Sequence, residues 1–82
     1  MYHTYILYSS KLDLYYVGHT ENIKIRLEQH RSGESKFTSK ANDWVIKYSK
    51  QFETRELARE EEFRIKRKKS RKYIEWLIQS SV

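Results

Sequence analysis

A layered α/β domain with an antiparallel sheet is the fold class this sequence predicts, and three observations predict it. β-Branched and aromatic residues gather in three short runs. Segments with helical spacing of apolar positions each follow a residue suited to capping a helix. Proline is absent, and the only glycines are Gly18 and Gly33, so each glycine is expected at the end of an element. The order that results is β-β-α-β-α-α, in which consecutive short strands fit antiparallel pairing. The order of strands within the sheet does not follow from this pattern.

The elements are justified in turn. Residues Thr4 to Tyr8 (Thr-Tyr-Ile-Leu-Tyr) make a first strand, and Leu14 to Val17 (Leu-Tyr-Tyr-Val) a second. The polar stretch Ser9 to Asp13 turns the chain between them into a hairpin. Asn22 caps a helix from about Ile23 to Arg31, whose apolar positions Ile23 and Leu27 share a face, and Ser32-Gly33 ends it. Glu34 to Asp43 is polar and predicts a loop. Trp44 to Phe52 is the third strand. Thr54 caps a helix running toward Lys69, with Glu56 in its first turn to complement the dipole. Ser70 restarts a last helix with Tyr73, Ile74, Leu77 and Ile78 on its apolar face. Trp44 and Trp76 are assigned to the core.

The 82 residues suffice for one domain, 1–82, with a small core. Cysteine is absent and the histidines have no zinc-like spacing, which excludes disulfides, thiolate chemistry and a structural zinc. No apolar run approaches the roughly 20 residues that span a bilayer. The N-terminus lacks the basic and apolar regions of a signal peptide. A soluble, cytoplasmic protein is therefore expected. The net charge of +6 has a single source. Seven of the nine residues from Arg64 to Lys72 are basic, while the remaining 10 Lys and Arg are offset by 11 Asp and Glu. Such a run suits a polyanion, nucleic acid first, although charge runs are also ordinary solvated helix faces.

Thr-Tyr-Ile (Thr4 to Ile6) followed by Tyr-Val-Gly (Tyr16 to Gly18) resembles the paired motif of the GIY-YIG nucleases. His3 and Thr4 stand where that motif has glycine and isoleucine, and Val17 replaces an isoleucine. The segment Asn22 to His30 is similar to the family's first helix, with Arg26 and His30 at its arginine and histidine positions. Ser32-Gly33 and Lys36-Phe37-Thr38 resemble the loop of the small stand-alone, YhbQ-like members. Ala58, Glu62 and Ile65-Lys66 resemble the helix carrying the metal-binding glutamate, and Ser70 to Ile78 the C-terminal helix. One departure is that Lys68 to Tyr73 contains no asparagine, where some family nucleases have one near the active site. The resemblance implies a small three-stranded antiparallel sheet flanked by helices. It also implies a DNA endonuclease that uses one divalent metal, Mg²⁺ or Mn²⁺, held by Glu62. Tyr5 is then the group that activates or orients the attacking water, and Tyr16 supports it with a hydrogen bond.

Elementary chemistry gives these residues suitable parts. Hydrolysis of a phosphodiester needs a water that loses a proton, charge stabilisation on the phosphoryl oxygens and an in-line geometry. If the hairpin turns between Ser10 and Lys11, Tyr5 lies opposite Tyr16 on one sheet face. A phenol with pKa near 10 is a weak base without help, and an isolated tyrosine on a strand is ordinarily structural. Arg26 and His30 lie one helical turn apart, where the guanidinium can grip phosphate and the imidazole can relay a proton. The alternative for this pair is a surface arginine and a histidine placed by the helix dipole. Mg²⁺ can be held by a single carboxylate with water and phosphate completing its shell. The helical wheel centres the apolar stripe nearer Glu61, whereas the motif register selects Glu62. Without that register, the triplet Glu60, Glu61 and Glu62 would be read as solvated. Gly18 either lets the chain pass close to the site or supplies a positive φ. Lys36, Lys66, Arg67, Lys68, Lys69, Arg71 and Lys72 are assigned to nucleic-acid binding. The expected function is a DNA endonuclease, with structure-selective cutting in repair or recombination as one form of it. The alternative is a non-catalytic nucleic-acid-binding module on the same fold.

Overall fold

The computed structural model describes residues 1–81. Its elements are β1 (Tyr2–Ser9), β2 (Leu14–Thr20), α1 (Ile23–Arg31), a single 3₁₀ turn (Thr38–Lys40), β3 (Val45–Phe52), α2 (Arg55–Lys68) and α3 (Arg71–Ser80). The strands form one antiparallel sheet in the order β2-β1-β3, so the motif strand β1 is central. The order β-β-α-β-α-α stands as expected.

Local chemistry explains the boundaries. The side chains of Asn22, Thr54 and Ser70 each accept a hydrogen bond from a backbone N–H three residues on, satisfying a donor that the helix leaves free. Gly33 closes α1 with φ +84°, and its N–H donates to the His30 carbonyl. Lys69 ends α2 at φ 47°, a left-handed conformation unusual for a lysine. That turn lets Ser70 begin α3 in a new direction. Trp44, just before β3, is fully buried and donates its indole N–H to the Thr38 carbonyl at 2.9 Å.

Strand alternation sends successive residues to opposite faces of the sheet. On one face Ile6, Val17 and Tyr48 pack with Ile65 of α2 and with Tyr73, Ile74, Leu77 and Ile78 of α3. There the Thr4 hydroxyl donates to the Ala58 carbonyl at 2.6 Å, fixing β1 against α2. On the other face Tyr5, Leu7 and Trp44 pack with Tyr16 and with Ile23 and Leu27 of α1. Asp43 joins the hairpin turn to the segment before β3. It accepts from the Ser9 hydroxyl at 2.6 Å, the Ser10 hydroxyl at 3.1 Å and the Lys11 N–H at 2.9 Å. Those bonds, the Ser9 bond first, hold its carboxyl down at about 2.

Two expectations need correction, and one alternative is decided. The hairpin register is shifted by two residues, so that Tyr5 pairs with Gly18 and Leu7 with Tyr16. Asp13 takes φ 52° and moves the turn toward the C-terminus. Because the shift is even, every side chain keeps its predicted face. Trp76 is not core: it is 58% exposed, because it projects from α3 outside the stripe formed by Ile74, Leu77 and Ile78. Of the two alternatives for Gly18, a positive φ is the one excluded, since that conformation belongs to Gly33 alone of the two glycines.

Candidate active site

The face covered by α1 brings Tyr5, Tyr16, Gly18, Arg26 and His30 together. Tyr5 and Tyr16 rings lie 6.4 Å apart, on the diagonal that the shifted register creates. Gly18 lies directly beneath. A Cβ there would sit 2.7 Å from the Tyr5 hydroxyl and 3.2 Å from a Tyr16 ring carbon, so only a hydrogen at that position lets the two phenols converge. Gly18 therefore serves close approach.

His30 is fully buried at the end of α1 and links two segments. Its Nε2 is hydrogen-bonded to the Tyr5 hydroxyl at 2.9 Å, and its Nδ1 to the Thr38 hydroxyl at 2.6 Å. The Tyr16 ring packs 4.9 Å from the imidazole. Burial, with the nearby Arg26 charge adding to it, pushes the His30 pKa down to about 4, so the ring is neutral near pH 7. Burial also pushes the Tyr5 phenol up to about 12, and the neighbouring Tyr16 and Glu62 act in the same sense against Arg26. Arg26 lies beside both phenols. Burial alone would lower its pKa, but the Tyr5 and Tyr16 hydroxyls hold it above the ordinary arginine value. One of its Nη groups donates to Gln29 at 2.9 Å, and among the described residues it is in no ion pair with a carboxylate.

Glu62 approaches from the other side of the sheet. Its Oε1 is 2.5 Å from His19 Nδ1, and its Oε2 accepts from the Lys66 ammonium. Glu61 is just as buried but is committed elsewhere, to Arg64 at 2.8 Å and to the Tyr48 hydroxyl at 3.2 Å. The wheel argument for burial at Glu61 thus describes one side of the stripe and the motif register the other. Only Glu60 of the triplet is exposed.

No group of three or more His, Asp or Glu side chains converges as a metal cage among the described residues. Glu62 nonetheless fits a hard dication. Its carboxylate can offer an oxygen donor once Lys66, which holds Oε2 and is 48% exposed, leaves it.

The basic run is divided. Arg64 is held by Glu61, Lys66 by Glu62, and Arg71 by Asp13 and Glu75. Arg67, Lys68, Lys69 and Lys72 are exposed and in no ion pair among the described residues. Lys36 is exposed in the loop beside Phe37, whose ring stacks on Tyr16 at 5.7 Å. Sequence reasoning misses His19, Thr38 and Phe37 as site residues. His19 follows the second motif tripeptide directly, and its strand position points it to the α2 face; that parity is the available signal.

Among the described residues no helix is long and apolar enough to cross a membrane. No curated protein and no solved structure is significantly similar to the chain. The family model described as the GIY-YIG catalytic domain matches residues 1–74, nearly the whole chain. The chain therefore belongs to the GIY-YIG catalytic domain family, a family of nuclease domains.

Proposed function

We propose that the protein is a cytoplasmic DNA endonuclease of the small stand-alone, YhbQ-like kind, formed by a single domain over 1–82. The observation that supports it most is the buried link from Tyr5 to a neutral His30 beside an arginine that no carboxylate among the described residues neutralises. Tyr5 alone, with its phenol raised to about 12, is too weakly acidic to start as a phenolate near pH 7. The link changes that. As the water attacks, the Tyr5 oxygen takes its proton while the phenolic proton passes to His30 Nε2. This requires Nδ1 to carry the resting proton and donate it to the Thr38 hydroxyl, so Thr38 is a positioning residue for the acceptor tautomer. Arg26 offsets the charge gathering on the phosphoryl oxygens with parallel N–H bonds. Tyr16 orients the phosphate beside Tyr5.

Nucleases of this family generally use a divalent metal. Glu62 would hold it here, with His19 fixing the carboxylate from the other side. When bound it supplies a Lewis acid for the phosphoryl and leaving oxygens. Mg²⁺ and Mn²⁺ both suit an oxygen donor set. The exposed cations Lys36, Arg67, Lys68, Lys69 and Lys72, with Lys66 and Arg71 once released from their carboxylates, would engage the DNA backbone.

A non-catalytic nucleic-acid-binding module is the second reading. It is favoured by one observation: both Glu62 oxygens are already engaged, by His19 and Lys66. Nicking of supercoiled and branched DNA with Mg²⁺ or Mn²⁺, against EDTA, separates the readings. The nuclease reading expects metal-dependent nicking that Glu62→Ala abolishes and Glu61→Ala spares. Absence of nicking by the parent on every substrate gives the module.

A further inference from the structure

Phe37 is an expensive residue to leave in water. It sits in the loop between α1 and β3, 48% exposed, although a phenylalanine gains most by full burial. Its ring is ordered against the candidate site. It stacks on Tyr16 with centroids 5.7 Å apart and planes 27° apart, and Tyr16 in turn packs on His30. The aromatic surface of the site thus continues outward through Phe37.

Cations surround this extension. Lys40 Nζ lies 5.9 Å from the Phe37 ring centroid, and Lys36 is the preceding residue. Beyond Lys40 opens a polar cavity of about 320 Å³, lined by Lys11, Arg31 and Lys40. Arg31 donates its Nε to the Trp44 carbonyl at 2.9 Å, which fixes the guanidinium and leaves its other donors available. None of Lys11, Arg31, Lys36 and Lys40 is in an ion pair among the described residues. This contrasts with the basic run, where carboxylates hold three of the cations.

We infer that Phe37 is a stacking platform for an unpaired nucleotide next to the scissile phosphate, and that Lys40, Lys11 and Arg31 hold the phosphates of the strand that continues from it. The inference rests on the nuclease reading for the position of the scissile phosphate, and it names the substrate class. An exposed aromatic ring stacks any base, because every base has a π face. Inside a duplex both faces of a base are covered by its neighbours. Only a base at a flap, gap, branch or single-stranded end can lie on Phe37. The site then selects DNA with unpaired nucleotides over continuous duplex by stacking and charge, without reading sequence.

Binding in EDTA tests this apart from cleavage. Fluorescence anisotropy would compare a blunt duplex with the same duplex bearing a single-stranded flap, and 2-aminopurine in the flap would report stacking directly. The parent is expected to prefer the flap by about tenfold and to quench the 2-aminopurine, in line with the usual worth of one stacked base. Phe37→Ala should abolish the quenching and lower the flap preference to the part that Lys40, Lys11 and Arg31 supply, and Phe37→Tyr should retain both. Phe37→Leu, which keeps apolar cover over Tyr16 without a π face, should behave as Phe37→Ala and guards against a folding defect. Equal affinity of the parent for the two DNAs, or an undiminished preference in Phe37→Leu, overturns the platform. If flap preference holds but no metal-dependent nicking is found, the nuclease reading fails and the platform stands.

Discussion

Each face of the sheet buries a tyrosine, and burial foremost pushes both phenols up to about 12, yet the two sit in opposite electrostatic settings. On the α2 face the Tyr48 hydroxyl bonds Glu61, which Arg64 neutralises, and Arg64 also reaches the Tyr73 hydroxyl. Every charge in that network has its opposite. Arg64 is foremost in holding the Glu61 carboxyl below the usual range. On the α1 face Tyr5 bonds a neutral histidine, and among the described residues the adjacent Arg26 is in no ion pair with a carboxylate. A closed network of balanced charges holds a fold together. A cation left unbalanced beside a polar chain is favourable only when an anion arrives, and a phosphodiester supplies one. The burial of the two phenols does not distinguish them; the unmatched charge does.

Removing one hydroxyl from each face breaks the comparison most sharply. Tyr5→Phe is expected to lower kcat of nicking by about 10²-fold or more, the usual worth of a positioned proton-transfer group. Tyr48→Phe should leave kcat within about twofold and cost about 1 kcal/mol of stability by deleting its hydrogen bond. Nicking rates and denaturant midpoints of the two variants provide the check. Equal losses of kcat would mean that both tyrosines are structural.

The cations extend the contrast from the core to the surface. Replacing Arg67, Lys69 and Lys72 with Gln removes cations that no carboxylate holds among the described residues. The salt slope of DNA binding should then flatten by about 0.9 for each phosphate no longer neutralised. Arg64→Gln removes a cation that Glu61 holds and should change the slope by less than that amount. Affinity measured at several salt concentrations decides the point. A larger change for Arg64→Gln would show that DNA breaks the Glu61 pair.

Much of this arrangement is legible in the residues. Asn22, Thr54 and Ser70 announce three helices because a capping side chain acts within three residues of itself. Strand alternation places Tyr5 and Tyr16 on one face even though the expected turn is off by two residues, since parity survives an even shift. What is not legible depends on distant parts of the chain. Nothing near His19 says that Glu62, 43 positions away, will meet it. Thr38 lies in a stretch whose polarity predicts an ordinary loop, yet it is fully buried because His30 and Trp44 both bond to it. Trp76 departs from expectation for a local reason. Its residue type argues for the core, while the helical wheel places it off the stripe that packs there, and the wheel prevails.

The neutral histidine also leaves a mark on stability, smaller than the catalytic effects and confined to one pH range. His30 has a folded pKa of about 4 against an ordinary value of 6.5. The folded state therefore resists a proton that the unfolded chain accepts. The stabilising difference is fully present above about pH 6.5 and is lost as pH falls toward 4. From pH 6.5 to 5 the loss should amount to about 1–2 kcal/mol from this residue. Asp43, held at about 2, adds its own loss only below the ordinary carboxylate range and stays out of this window. Glu61, lowered by Arg64, likewise loses its contribution only under more acidic conditions. His30→Gln should be less stable than the parent at pH 7, because it disturbs the bonds to Tyr5 and Thr38. Its stability should nevertheless change little between pH 6.5 and 5, where the parent's declines. Urea midpoints taken at half-unit steps of pH measure both slopes. Parallel slopes would mean that His30 keeps an ordinary pKa in the folded protein and that burial does not hold the ring beside Tyr5 neutral below pH 6.5.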